Sequence, residues 1–303
     1  MMKVRVAAGL LGTAALMAAG LTQAPARAAT ATYCGLGLGA ITTGGDHILR
    51  GITATTPPTA STNFWGAKDL YPDGQARLAG GLSAVQTATG MKRHQYVVLG
   101  SDMYSVSYEV NGFGADVVPG SIKQTRVGGG WGVDFRYFEE SRYYSGGTTL
   151  ARDNTYALQN GNLNRWTVTP AGWTRKAVYT GYSAVKTMAL ISQTATYDTF
   201  LANTYGGALY TIHIPVSGTP VVKKVRTSTW QGFEALVAAK CGQGTLLLGV
   251  DKDSGAPYMY AVSRANGAAT VIQGLGKVNR TYAETAYFHY FSDPPWDGNL
   301  SGE

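Results

Sequence analysis

Apolar positions in this chain fall in short runs separated by Gly, Asp, Ser and Asn. Phe233-Glu234-Ala235-Leu236-Val237-Ala238-Ala239 is followed by Thr245-Leu246-Leu247-Leu248-Gly249-Val250, then by Pro257-Tyr258-Met259-Tyr260-Ala261-Val262, with Ala269-Thr270-Val271-Ile272 as a fourth run. Each has strand length and turn residues at its ends, so the pattern predicts four strands within about fifty residues. The preceding stretch repeats the texture at 186–191, 199–202, 208–212 and 221–225. Beyond the first thirty residues no window sustains helical spacing. The chain reads as all-β.

The strands come in repeats. A glycine- or aromatic-rich turn opens each one: Gly80-Gly81-Leu82, Gly129-Gly130-Trp131, Gly181-Tyr182 and Trp230-Gln231-Gly232, with a degenerate fifth ending at Tyr282. With Val85, Phe135, Val185, Phe233 and Tyr282 taken as equivalent, the intervals are 50, 50, 48 and 49 residues. Four short strands per period of this length is the pattern of one propeller blade. An irregular β-sandwich is the alternative, but it would need near-equal spacing from unrelated strands.

The chain ends fit together. After the fifth turn only Ala286-Tyr287-Phe288-His289-Tyr290-Phe291 reads as a strand, whereas Gly44-Gly45-Asp46-His47-Ile48-Leu49-Arg50-Gly51-Ile52 reads as an internal repeat strand with no opening turn. If the two ends share one blade, the ring has no free edge. The expectation is a five-bladed β-propeller of four-stranded antiparallel blades, spanning 44–291, with N-terminal strands completing the C-terminal blade. Residues 29–43 would precede it and 292–303 would follow as a tail.

The Gly-Gly-Asp-His-Ile-Leu-Arg-Gly-Ile segment, with turns such as Gly-Gly-Trp and Thr-Trp-Gln-Gly-Phe, resembles the tachylectin-2 family of lectins over about residues 44–291. Members of that family are five-bladed propellers whose repeats open with Gly-Gly-Trp-x-x-Phe and whose chain enters mid-blade. The resemblance implies recognition of N-acetylated aminosugars, of the N-acetylglucosamine or N-acetylgalactosamine type, in pockets between blades. The chain departs from the family pattern at Leu82 and Tyr182, which replace the turn tryptophan, and at 277–282, where Gly-Gly-Trp is lost. The family's Tyr-Lys-Gly-x-Pro-Pro strand ends are absent as well.

Lys3 and Arg5 precede an apolar run from Val6 to Leu21, and Ala26-Arg27-Ala28 has the form of a signal-peptidase site. The run is short for a membrane span. The reading is a secreted protein cleaved near Ala28, with no membrane span after processing. Cleavage leaves 22 basic and 18 acidic residues, a mild excess without the dense stripe that would suggest nucleic acid. Two cysteines in an exported chain, Cys34 and Cys241, are expected to pair.

Catalytic signatures are sparse. Asp102, Asp116, Asp153, Asp198, Asp251 and Asp253 read as turn residues bonding local backbone, and the four histidines have no metal-ligand spacing. No cofactor or metal is expected. Glu139, Glu140 and Glu234, on first-strand segments, are the acids best placed to face the axis. Aromatic residues are abundant instead: 19 Tyr, 6 Trp and 8 Phe against 14% charged residues. Tyr and Trp offer a flat apolar face with a polar edge, the complement of a sugar ring. Trp131, Tyr182 and Trp230 share one repeat position in glycine-rich turns and are the expected carbohydrate-binding residues, with packing between blades as the competing role. The chain is thus expected to be a non-catalytic, lectin-like binder of cell-wall or chitin-type glycans. A propeller glycoside hydrolase or lyase and a protein-binding scaffold are the alternatives.

Overall fold

The structure is a computed structural model that describes residues 34–303 except residue 63 and residues 113–115. The expected signal peptide at 1–28 lies outside the described residues. Three sheets are simple four-stranded antiparallel meanders. The first is β10 (Phe135–Ser145), β11 (Thr149–Gln159), β12 (Asn162–Thr169) and β13 (Gly172–Tyr179). The second is β14 (Val185–Gln193), β15 (Tyr197–Thr204), β16 (Leu209–Pro215) and β17 (Val221–Arg226). The third is β18 (Ala235–Cys241), β19 (Gly244–Asp251), β20 (Ala256–Val262) and β21 (Ile272–Lys277).

The remaining strands form one ten-stranded assembly that holds both chain ends. It contains β1 (Gly35–Ile41), β2 (His47–Thr53), β3 (Thr59–Ala60), β4 (Phe64–Trp65), β5 (Ala76–Ala79), β6 (Leu82–Gln86), β7 (Gly90–Leu99), β8 (Asp102–Asn111), β9 (Lys123–Gly128) and β22 (Ala286–Ser292). C-terminal β22 pairs antiparallel with N-terminal β1, with Gly39 opposite Phe288, and β1 pairs with β2, with Gly39 opposite Leu49. The strand near Leu49 therefore shares a sheet with the strand near Phe288. The halves of the assembly meet where β22 runs parallel to β6 at Tyr290–Leu82.

β1 corrects the reading of residues 29–43 as a segment outside the sheets. Gly35-Leu36-Gly37-Leu38-Gly39 lacks the β-branched residues that mark strands, yet it alternates with period two. Its leucines are buried, and glycine is what lets β22 come close. A Cβ on Gly39 would lie 1.9 Å from the Phe288 ring. A second correction concerns Ala269-Thr270-Val271-Ile272. Only Ile272 belongs to β21, because Thr270 closes a turn in which its Oγ1 donates to the Gly267 carbonyl at 2.7 Å and accepts the Asn266 N–H at 2.8 Å.

The core lies between sheets. Of five buried clusters, four draw on two neighbouring sheets and one lies between the two halves of the ten-stranded assembly. One combines Tyr137, Tyr156 and Leu158 with Met188, Phe200 and Ile212; another combines Ala189, Ile191 and Leu201 with Leu236, Ala238 and Leu247. The others join β18–β21 to β1–β2, β1–β2 to β6–β8, and β7–β8 to β10–β12. Cys34 and Cys241 are disulfide-bonded with Cα atoms 5.5 Å apart, tying the start of β1 to the end of β18.

Candidate functional site

Each cluster contains one aromatic residue in the same backbone setting. Trp131, Tyr182, Trp230 and Tyr282 donate their backbone N–H to the carbonyls of Ser101, Gly161, Gly207 and Gly255, each in a hairpin turn of the preceding sheet. Tyr71 does the same to Gly45, so the first member of the series is Tyr71 and not the Leu82 turn, which lies on β6. Gly45 sits at φ +78°, and a Cβ there would meet the Tyr71 carbonyl oxygen at 1.9 Å; only glycine fits.

The expected exposure of these aromatics is corrected. Trp131 is 7% exposed, Tyr182 8% and Trp230 5%. Trp131 is wedged against Phe135, Phe138 and Trp166, and Trp230 against Phe233 and Tyr260. Flat rings with a polar edge fill the wedge between twisted sheets as well as they would bind a ligand, so composition alone could not separate the two roles.

A cavity of about 1080 Å³ lies instead among the inner strands β6, β10, β14, β18 and β22. Glu139, Glu140 and Arg142 reach it from β10, Gln193 from β14 and His289 from β22. The segment after β22 runs across one mouth. Asp293 pairs with Arg142 and accepts the Tyr144 hydroxyl. Asn299 bonds the Tyr144 backbone through both its N and O (2.8 and 2.9 Å), and the Leu300 carbonyl accepts the Gln193 N–H at 3.1 Å. Within this segment Trp296 lines the cavity and is 87% exposed. It is the free aromatic that the sequence reading sought in the turns and missed. The signal available was its place in Pro294-Pro295-Trp296-Asp297-Gly298, a turn outside the repeats with no strand partner to cover its ring.

The electrostatics are unusual. Enclosure in the cavity pushes the Glu139 carboxyl up to about 7, against a bond from the Tyr137 hydroxyl at 3.3 Å that favours its ionised form. Burial raises Glu140 well above the ordinary carboxylate range, and the negative charge of Asp153 adds to it. Asp153 rises to about 6, chiefly by burial. Arg142 is the cation serving this group, bound to Asp293 and 3.7 Å from Asp153. Burial also holds His289 neutral, with its pKa lowered to about 4, and its ring stacks on Phe291 at 5.2 Å.

Other acids are structural. Glu234 pairs with Lys186 and accepts the Lys252 N–H, away from the cavity lining. Asp251 caps its own turn by accepting from the N–H groups of Asp253 and Ser254. Asp153 and Asp198 are strand residues, not turn residues. Asp198 is fully buried, pairs with Arg152 and accepts the Tyr156 hydroxyl at 2.6 Å. Among the described residues no three His, Cys, Asp or Glu side chains group as metal ligands, and no helix is long and apolar enough to cross a membrane.

Neither a protein-family model nor a curated protein sequence matches the chain. Among solved structures, it is similar to a fungal lectin from Aleuria aurantia described as a six-bladed β-propeller with a novel fucose recognition mode. The TM-score is 0.50 at 11% identity, over 84% of this chain and 81% of that one. The chain is a β-propeller. Further similar structures are the SapL1 lectin in complex with α-methyl fucoside (TM-score 0.41, 12% identity, 79% of each chain) and the Podospora anserina α-L-arabinofuranosidase PaAbf62A in complex with cellotriose (TM-score 0.45, 13% identity, 71% and 73%).

Proposed function

We propose that this chain is an exported, five-bladed, carbohydrate-binding propeller that takes glycan at the Trp296 mouth of its axial cavity. Five buried clusters, five equivalent aromatics and the pairing of β22 with β1 support the blade count: the ten-stranded assembly reads as two blades joined at β22–β6. The observation that carries the function is Trp296, an exposed ring beside a large cavity whose wall supplies hydrogen-bonding side chains. Sugar recognition uses this combination of apolar platform and polar edges. The tachylectin-2 resemblance implies N-acetylated aminosugars, as in cell-wall or chitin-type glycans. For Trp131, Tyr182 and Trp230 the proposal narrows to contact through ring edges in the grooves between blades, since their faces are covered. A glycan array followed by titration of Trp296→Ala tests the reading. N-acetylglucosamine oligomers should bind the parent and lose about tenfold in affinity in the variant, the effect of one stacking contact of 1–2 kcal/mol. An array with no signal above background overturns it.

One observation favours a second reading, a glycoside hydrolase. Glu139 lines the cavity and burial pushes its carboxyl up to about 7, the protonation a general acid needs. Release of reducing ends from polysaccharide, abolished in Glu139→Gln, would establish it.

A further inference from the structure

The four outermost strands β9, β13, β17 and β21 each pair with one neighbour only and form the outer edges of their sheets. They carry Lys123, Arg126, Arg175, Lys176, Lys223, Lys224, Arg226 and Lys277, eight of the chain's 25 lysines and arginines, and no carboxylate. All but Arg226 are exposed. Arg126 alone of the eight has an ion pair among the described residues, with Asp102 at 3.0 Å.

Protection of a sheet edge against pairing explains a charge on each strand. Lysine is the usual charge for this purpose, but edge protection needs one per strand and not adjacent pairs such as Arg175-Lys176 and Lys223-Lys224, on four strands that hold no carboxylate. Lys223 and Lys224 lie in a regular stretch of β17 and point to opposite faces, so that pair presents charge on both sides of the edge, while Lys176 beside Arg175 is the extra residue of a β-bulge. We infer that this outer rim is a second binding surface, for an anionic polysaccharide bearing carboxylate or phosphate groups. The inference adds to the axial-site proposal and shares with it only the ring arrangement, which points the four edges outward in different directions. A flat bilayer or a stiff duplex could touch one or two of these edges at once, whereas flexible polyanion strands can engage them all. Single-stranded nucleic acid would use exposed aromatic rings for stacking. The rings on these strands, Trp173 and Tyr179, are half-buried, and Trp173 is packed on Phe138.

The test compares two doubly substituted proteins of equal net charge, Lys223→Gln/Lys224→Gln on the rim and Lys68→Gln/Lys92→Gln elsewhere, in binding to immobilised polygalacturonate. Melting curves confirm that both fold. The expected result is parent binding at about 50 mM NaCl with a log–log salt slope that falls with each rim cation removed, by up to about 0.7, the value for single-stranded nucleic acid. The rim variant should weaken several-fold and the control by less than twofold. Equal losses in the two variants would reduce the effect to net charge and overturn the proposal. So would tighter parent binding to duplex DNA or to phosphatidylglycerol vesicles. The rim variant should keep the parent's binding of uncharged N-acetylglucosamine oligomers, so failure of the axial site and failure of the rim are separate results.

Discussion

Exposure decides what an aromatic residue does in this protein. Trp230 is surrounded by Phe233 and Tyr260 with 5% of its surface exposed, so Trp230→Ala leaves a cavity between two sheets and should cost about 3–5 kcal/mol. Denaturant melts should show this loss. Trp296, 87% exposed, covers nothing, and Trp296→Ala should leave the melt unchanged while glycan affinity falls. Equal melting losses in the two variants would contradict this division. The turn aromatics were legible in the sequence as a repeating position, but their role was not. A ring in a glycine-rich turn is exposed or covered according to where the preceding sheet's hairpin lies, and that hairpin is about thirty residues upstream in Trp131, whose N–H binds the Ser101 carbonyl.

At the scale of elements, the closing strands carry the most information. β1 is held by β2 on one side and β22 on the other, and Thr285 donates to the Ile41 carbonyl from both its N–H and its hydroxyl. The disulfide anchors the same strand to β18 across a sequence separation of 207 residues. A crosslink closing so long a loop restricts the unfolded chain by up to about 5 kcal/mol in the chain-entropy account. Cys34→Ser/Cys241→Ser should therefore lower the denaturant midpoint, and a non-reduced digest of the parent should yield one linked peptide containing both cysteines. Recovery of both as free thiols would refute the pairing. The pairing could be read from two cysteines in a chain whose N-terminal segment has the form of a signal peptide. β1 itself could not, because its Gly-Leu alternation carries little strand propensity and acquires its meaning from the rings of β22 that fill the space over the glycines.

For the whole molecule, two sets of buried groups oppose each other as pH changes. His47, His94 and His289 have pKa values lowered to about 3, 4 and 4, burial being the main cause in each. The unfolded chain takes up these protons below about 6.5 while the fold refuses them, so stability falls as pH drops through that range. Glu139 and Asp153, raised to about 7 and 6, act in the other direction: the fold holds protons that the unfolded chain releases, and stability falls as pH rises from about 4 towards 7. Glu140, raised well above the ordinary carboxylate range by burial, acts with them, so three carboxyls oppose three histidines and the profile should be nearly flat between about pH 4.5 and 6.5. Glu139→Gln removes one opposing term and should leave stability rising with pH across that window, as read from urea melts at several pH values. A variant profile parallel to the parent's would mean Glu139 does not titrate as described.

The sequence by itself determined the all-β class, the four-strand unit and the union of the two chain ends, because period-two alternation, turn residues and repeat spacing are local properties of the chain. Of the three acids it placed facing the axis, Glu139 and Glu140 line the cavity, while Glu234 lies off it, paired with Lys186. Tertiary structure alone decided which aromatic side chains are exposed and which are core. Burial of Trp131, Tyr182 and Trp230 depends on the angle between successive sheets. The raised carboxyls of Glu139, Glu140 and Asp153 depend first on burial between sheets, and Asp293 reaches Arg142 from beyond β22. No local pattern encodes such a meeting, because its energy arises from desolvation and from charges brought together across the fold.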